Sequence, residues 1–170
     1  MIRSCIFPAV LSALTVLAAG LSLSGAPSAP SYVGSQACVG CHADAAEAWE
    51  TSHHALAWTT PEAGNVLGDF DGARFVHDGA VTQFTTRGGK YVIETEDADG
   101  KPRAFAVKGV AGREPLQQYL LETEPGRLQA FDVAWDTGKK RWYHLYPDQA
   151  LKPGDGLHWT GPYKTWNARC

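Results

Sequence analysis

One short motif constrains this chain more than any other feature, and it reads Cys38-Val39-Gly40-Cys41-His42. The spacing C-x-x-C-H is the attachment pattern of c-type haem. Two thiols at this spacing can add to two vinyl groups of one haem, and the imidazole that follows can bind its iron. We therefore predict covalent haem c at Cys38 and Cys41, with His42 as the proximal iron ligand.

Three other interpretations of the cysteine pair are open. A thioredoxin-like redox pair requires a βαβ context, which the sequence does not indicate. A structural zinc site requires four ligands, and the sequence contains no second C-x-x-C pair. A simple Cys38–Cys41 disulfide closes a very small ring and leaves His42 without a role. The haem interpretation accounts for all three residues.

The first residues have the layout of a secretory signal peptide. Arg3 precedes an apolar stretch over residues 6–19, and small residues follow it. We predict a signal peptide over residues 1–26, with cleavage somewhere in 20–31, and a haem-binding domain over 31–170. Export to the periplasm, where c-type haem is attached, agrees with this layout. The alternative is an uncleaved membrane anchor, because about 18 apolar residues can span a bilayer.

Charge and composition exclude one class of partner. The formal net charge is −3, and no stretch is strongly basic. Binding of nucleic acid depends on clustered Lys and Arg, so we do not expect it. The expected partners are other redox proteins or haems, with a membrane only if the N-terminal segment stays uncleaved.

The hydrophobic pattern predicts an α+β chain. Residues 43–57 favour a helix, which Pro61 and Gly64 end. From about residue 73 the pattern changes to short runs of β-branched and aromatic residues separated by glycine turns. We predict an antiparallel β-rich meander followed by irregular loops. The expected strands are 73–77, 81–85, 91–95, 105–107, 128–133 and 141–145, while 115–121 stays ambiguous between helix and strand.

The second axial ligand of the iron is less constrained. The only methionine is Met1, so a methionine ligand is excluded from the mature chain. His53 follows His42 by eleven residues, about 16 Å along a continuous helix and on nearly the same face. One straight helix cannot supply both axial ligands of one iron. Either His53 or His54 serves a second haem, or the helix breaks before them. The other distal candidates are His158, His144 and His77.

The same regions resemble a known family. The matching segments are Tyr32-Val33-Gly34-Ser35, the C-x-x-C-H motif, Trp49-x-x-Ser52-x-His54, Glu114-Pro115-Leu116-Gln117, Trp142-Tyr143-His144 and Leu157-His158-Trp159. They resemble the start of the bacterial multihaem c-type cytochromes that often carry tetratricopeptide repeats further on. The resemblance implies that Cys170 is the first thiol of a second, truncated haem site. It also ranks His54 above His53 as a ligand.

Three functions follow as expectations. The first is electron transfer by a six-coordinate haem, which leaves no position for a substrate. The second is a multihaem oxidoreductase that acts on a small nitrogen or sulfur species. The third is a non-redox binding module in which the cysteine pair is structural. The sequence favours an electron-transfer protein over a catalyst and identifies no catalytic residue.

Overall fold

The computed structural model describes residues 31–168, and these form mainly an antiparallel β-sheet with two short helices before it. Helix α1 spans Gln36–Val39 and helix α2 spans Ala43–Glu50. Nine strands follow: β1 Trp58–Thr59, β2 Asp71–His77, β3 Ala80–Arg87, β4 Lys90–Glu96, β5 Pro102–Ala111, β6 Leu116–Glu124, β7 Arg127–Ala130, β8 Val133–Asp136 and β9 Arg141–His144. Two 3₁₀ helices, Pro162–Lys164 and Trp166–Ala168, close the described chain.

The strands are ordered as a meander. Their order in the sheet is β2-β3-β4-β5-β6-β8-β9, with β1 paired to β5 and β7 to β6. The turns after β2 and β3 contain two residues each, Asp78-Gly79 and Gly88-Gly89, all with positive φ. Such pairs favour tight hairpins, because their twist matches that of the strands. The predicted antiparallel β-meander is therefore confirmed.

The sheet curls into a nearly closed barrel. Its first and last strands, β2 and β9, approach each other, and His77 stacks on His144 across the gap. No backbone pairing joins β2 to β9 within residues 31–168. We call this gap the seam. A sheet can curl in this way because β5 changes register at residues 107–109, and such irregularities bend a strand.

The barrel interior is filled by aromatic side chains. Phe70 makes edge contacts with Phe84, Tyr91, Tyr119 and Trp142, at centroid distances of 5.0–5.7 Å. Edge-to-face packing of this kind adds about 0.5–1.5 kcal/mol per pair to the burial of area. The other buried apolar residues include Ile93, Phe105, Val107, Val110, Leu121, Phe131, Val133 and Trp159.

Two expectations about the elements need correction, and one ambiguity is resolved. The predicted helix over 43–57 ends at Glu50, and turns follow it. The predicted strand over 128–133 is interrupted, because Asp132 turns out of the sheet between β7 and β8 to meet Lys164. The ambiguous stretch over 115–121 is a strand, β6. The break at Asp132 accompanies a long-range contact, whereas the helix ends in local turns where no residue is buried.

Candidate functional site

The C-x-x-C-H motif lies on an exposed helical turn. Cys38 belongs to α1, and its carbonyl oxygen accepts hydrogen bonds from the N–H groups of Cys41 (3.2 Å) and His42 (3.0 Å). His42 then caps the start of α2. Positions i, i+3 and i+4 of a helical turn lie on one side of it. The two thiols are free and exposed, so a reagent can approach both.

The helical segment of residues 38–57 contributes nothing to the core. No residue in it is buried, and no residue of α2 is buried either. Trp49 has 53% of its surface exposed. Trp49 belongs to α2, and its ring is apolar surface that the described residues leave partly uncovered. The exposed face of α2 therefore combines this Trp and several Ala residues with the carboxylates of Asp44, Glu47 and Glu50.

A short strand anchors this segment to the barrel. In β1, Trp58 and Thr59 pair with Ala111 and Val110 of β5. The N–H of Gly112 donates to the carbonyl oxygen of Ala57 at 2.8 Å. These bonds fix the end of the segment while its helices stay at the surface.

His53 and His54 lie in the turns after α2, and both are exposed. The Ser52 hydroxyl donates to the carbonyl oxygen of Trp49 at 2.6 Å and accepts from the N–H of Ala55 at 3.3 Å. This local bonding replaces the helical ladder. Because the helix ends before His53 and His54, these residues do not share one straight helix with His42. The objection that one straight helix cannot supply both iron ligands therefore does not apply to them.

The other three predicted histidines meet at a second place. His77, His144 and His158 line one cavity of about 70 Å³, which we call the histidine pocket. The rings of His77 and His144 are 4.2 Å apart at their centroids and 18° from parallel. The Nε2 atom of His77 is buried without a hydrogen bond, and its nearest carboxylate oxygen, on Asp78, is 3.7 Å away.

Hydrogen bonds define the tautomers of two of these histidines. Nδ1 of His144 accepts from the N–H of Tyr146 at 3.1 Å. Nδ1 of His158 accepts from the N–H of Thr160 at 3.3 Å and lies 2.8 Å from the Thr160 hydroxyl oxygen. A neutral imidazole that accepts at Nδ1 carries its proton on Nε2. Neither Nε2 atom then has a lone pair for iron.

Burial favours the neutral form of both of these rings. It lowers the pKa of His144, and the neighbouring His77 lowers that pKa further. Burial also lowers the pKa of His158, against the opposing field of Asp155. The charged form is disfavoured in each case because it would lose water.

The sequence did not predict the charged groups around the histidine pocket. Asp132 is 3% exposed and accepts from the Lys164 ammonium at 2.8 Å. Burial raises the pKa of the Asp132 carboxyl, and Lys164 opposes that rise. Asp78, Glu96 and Lys152 also line the pocket. These residues are distant in sequence, and no local pattern relates them.

The described residues 31–168 contain no group of three or more His, Cys, Asp or Glu arranged to hold a metal ion. A haem site requires less, because the porphyrin itself supplies four ligands and the protein adds one or two. The same residues include no helix long and apolar enough to cross a membrane. The predicted signal peptide and Cys170 lie outside the described residues.

The chain was compared with protein-family models, with curated proteins and with solved structures. None of the three comparisons gives a match.

Proposed function

We propose that the chain is a c-type cytochrome that carries haem on its helical segment and transfers electrons. The observation that carries this proposal is the C-x-x-C-H turn, which presents two free, exposed thiols beside an apolar surface that the described chain leaves uncovered. In this proposal the helices hold the haem, and the β-barrel supports them.

Each residue of the motif has a defined role. The thiols of Cys38 and Cys41 form thioethers, and the His42 imidazole binds the iron. Trp49 and the alanines of α2 would supply apolar contacts to the bound group. The bound haem supplies one-electron exchange at iron, with a potential set by its ligands and by its exposure.

The distal ligand, in our proposal, comes from His54, with His53 as the second choice. Both rings are exposed and make no hydrogen bond among the described residues. The tautomers of His144 and His158 place a proton where iron would bind. The Nε2 atom of His77 makes no hydrogen bond, but it is buried, and its ring stacks on that of His144.

Export and partners belong to the same proposal. Haem c is attached outside the cytoplasm, so we place the protein in the periplasm. Its partners are other redox proteins or haems. The resemblance to multihaem cytochromes adds the proposal that a second haem begins at Cys170.

Expression with a c-type maturation system tests the attachment. We expect a haem-stained band that survives denaturing electrophoresis and a mass increase of one haem on the peptide that contains residues 38–42. Cys38→Ser with Cys41→Ser should abolish both signals. Cys170→Ser is the matched control, and it should leave both signals unchanged. Unstained wild-type protein would refute the proposal.

Carbon monoxide separates electron transfer from catalysis at this haem. A reduced haem with two histidine ligands should resist carbon monoxide, and its spectrum should stay unchanged. His54→Ala should open the iron and produce the carbon monoxide spectrum. A wild-type protein that binds carbon monoxide at once would favour the alternative, an oxidoreductase with an open iron position.

A further inference from the structure

The histidine pocket presents hydrogen-bond donors that have no partner in the fold. His144 and His158 both carry their proton on Nε2, because Nδ1 of each accepts a backbone N–H. No hydrogen bond from either Nε2 occurs within residues 31–168. The Nε2 atom of His77 is buried and has no hydrogen bond. A buried polar atom without a partner costs about 1–3 kcal/mol, and the Nε2 atom of His77 is such an atom. Together with the unpartnered Nε2–H groups of His144 and His158 on the same cavity, it points to a missing ligand.

The size of the cavity limits what can fill it. About 70 Å³ is available, and a water molecule takes about 30 Å³ in the liquid. A ligand of a few heavy atoms fits, while a nucleotide or a peptide does not. The walls are partly apolar, with Phe75, Phe131 and Trp159. A small ligand held by a few convergent polar groups on an apolar wall is the usual pattern of a binding site.

The donor set favours an anion over a metal cation. A metal ion needs lone pairs, and the tautomers of His144 and His158 offer protons instead. The nearest buried carboxylate, Asp132, is neutralised by Lys164 at 2.8 Å. Lys152 adds a positive charge to the lining. Asp78 and Glu96 oppose an anion, and solvent screens their charges and that of Lys152 alike, so the unpartnered Nε2–H groups carry the argument.

We propose that the histidine pocket binds a small inorganic oxyanion, held by the Nε2–H groups of His144 and His158 and by the ring of His77. This site lies at the seam, between β2 and β9, and it is separate from the haem motif in composition and in chemistry. It does not depend on the proposed haem. An anion there also links the two edge strands that backbone pairing leaves unjoined.

The test uses the full chain labelled with ¹⁵N and nitrate as the probe. Imidazole nitrogen spectra report the tautomer directly, and chloride at equal ionic strength is the reference. We expect nitrate to produce saturable shifts at Nε2 of His144 and His158, with no change in the haem spectrum where haem is present. Shifts that grow linearly and equal those of chloride would overturn the proposal.

Two variants isolate the donors. His144→Asn and His158→Asn each keep an acceptor near the position of Nδ1 and remove the Nε2–H group. Each should weaken nitrate binding at least about tenfold, the loss expected for one hydrogen bond to an anion. Lys139→Met is the matched control, because it removes a positive charge at the other end of β9, and it should leave the binding constant unchanged.

Two further outcomes bear on the class of ligand. Asp78→Asn removes an opposing charge and should tighten nitrate binding. Zinc ions added to the wild type should leave the Nε2 protons of His144 and His158 in place. Loss of those protons at stoichiometric zinc would assign the pocket to a metal and refute the oxyanion.

Discussion

The buried pair of Asp132 and Lys164 allows the sharpest test of the fold. The Asp132 side chain is 4% exposed, that of Lys164 is 13% exposed, and their charged atoms are 2.8 Å apart. Lys164 also lies 3.8 Å from the centre of the Tyr146 ring. Lys164→Met leaves a carboxylate buried without its counter-charge. Loss of one partner of a buried pair costs about 3–5 kcal/mol, and loss of the cation–π contact adds about 0.5–1 kcal/mol.

The pH dependence follows from the carboxyl. Burial raises the pKa of Asp132, so the folded state favours its protonated form. The stability from this group is present at low pH and is lost as the pH rises through the folded pKa. Without Lys164 the pKa of Asp132 rises further. The loss in free energy of unfolding that Lys164→Met causes should therefore be largest near neutral pH and should decrease as the solution is acidified.

Urea denaturation, followed by tryptophan fluorescence, measures the free energy of unfolding. Lys164→Met should lose about 4 kcal/mol at neutral pH, and adding Asp132→Asn should restore all but about 1–2 kcal/mol of it. Lys139→Met is the control, because Lys139 pairs with Asp136 at the surface, 3.8 Å away, and should cost under about 1 kcal/mol. The reasoning would be refuted if Lys164→Met were as stable as Lys139→Met. It would also be refuted if the double variant, Lys164→Met with Asp132→Asn, were less stable than Lys164→Met alone.

Three more predictions concern the barrel. Burial lowers the pKa of His144 and of His158. The free energy of unfolding should therefore fall as the pH drops below the ordinary pKa of histidine. Denaturant midpoints measure this, and a profile that does not change with pH would contradict it. Gly68→Ala should lower the free energy of unfolding by about 1–3 kcal/mol, because a Cβ there would lie 2.5 Å from the Tyr119 hydroxyl oxygen. Gly64→Ala is the control, because a Cβ at Gly64 meets open space, and it should be nearly neutral in the same assay. Tyr119→Phe should cost about 1–3 kcal/mol by calorimetry, because the Gly68 N–H loses its acceptor; a stable variant would show that water replaces the hydroxyl.

The sequence predicted the strands better than their assembly. Alternation of β-branched and aromatic residues, together with the Asp78-Gly79 and Gly88-Gly89 turns, marked the hairpins of β2, β3 and β4 within a few residues. These signals are local, since a two-residue turn defines the register of its own hairpin. The strand β6 was ambiguous, because a run such as residues 115–121 packs on both faces and lacks a clear period.

The sequence did not predict that the sheet curls into a nearly closed barrel. The approach of His77 to His144 depends on the accumulated curl of the whole sheet, and no pattern within either strand encodes it. The break at Asp132 depends on Lys164, which follows it by 32 residues. The C-x-x-C-H motif is the opposite case, because the proposed haem attachment rests on five consecutive residues and requires no knowledge of the fold.

The seam between β2 and β9 also bears on self-association. Exposed strand edges recruit strands from other molecules, and proteins protect such edges by covering or closing them. In this barrel the two edges cover each other, and ring stacking of His77 on His144 holds them together. A change that parts the seam would expose both edges at once. Such variants should fail first by aggregation, in a concentration-dependent way, while the aromatic interior is still packed.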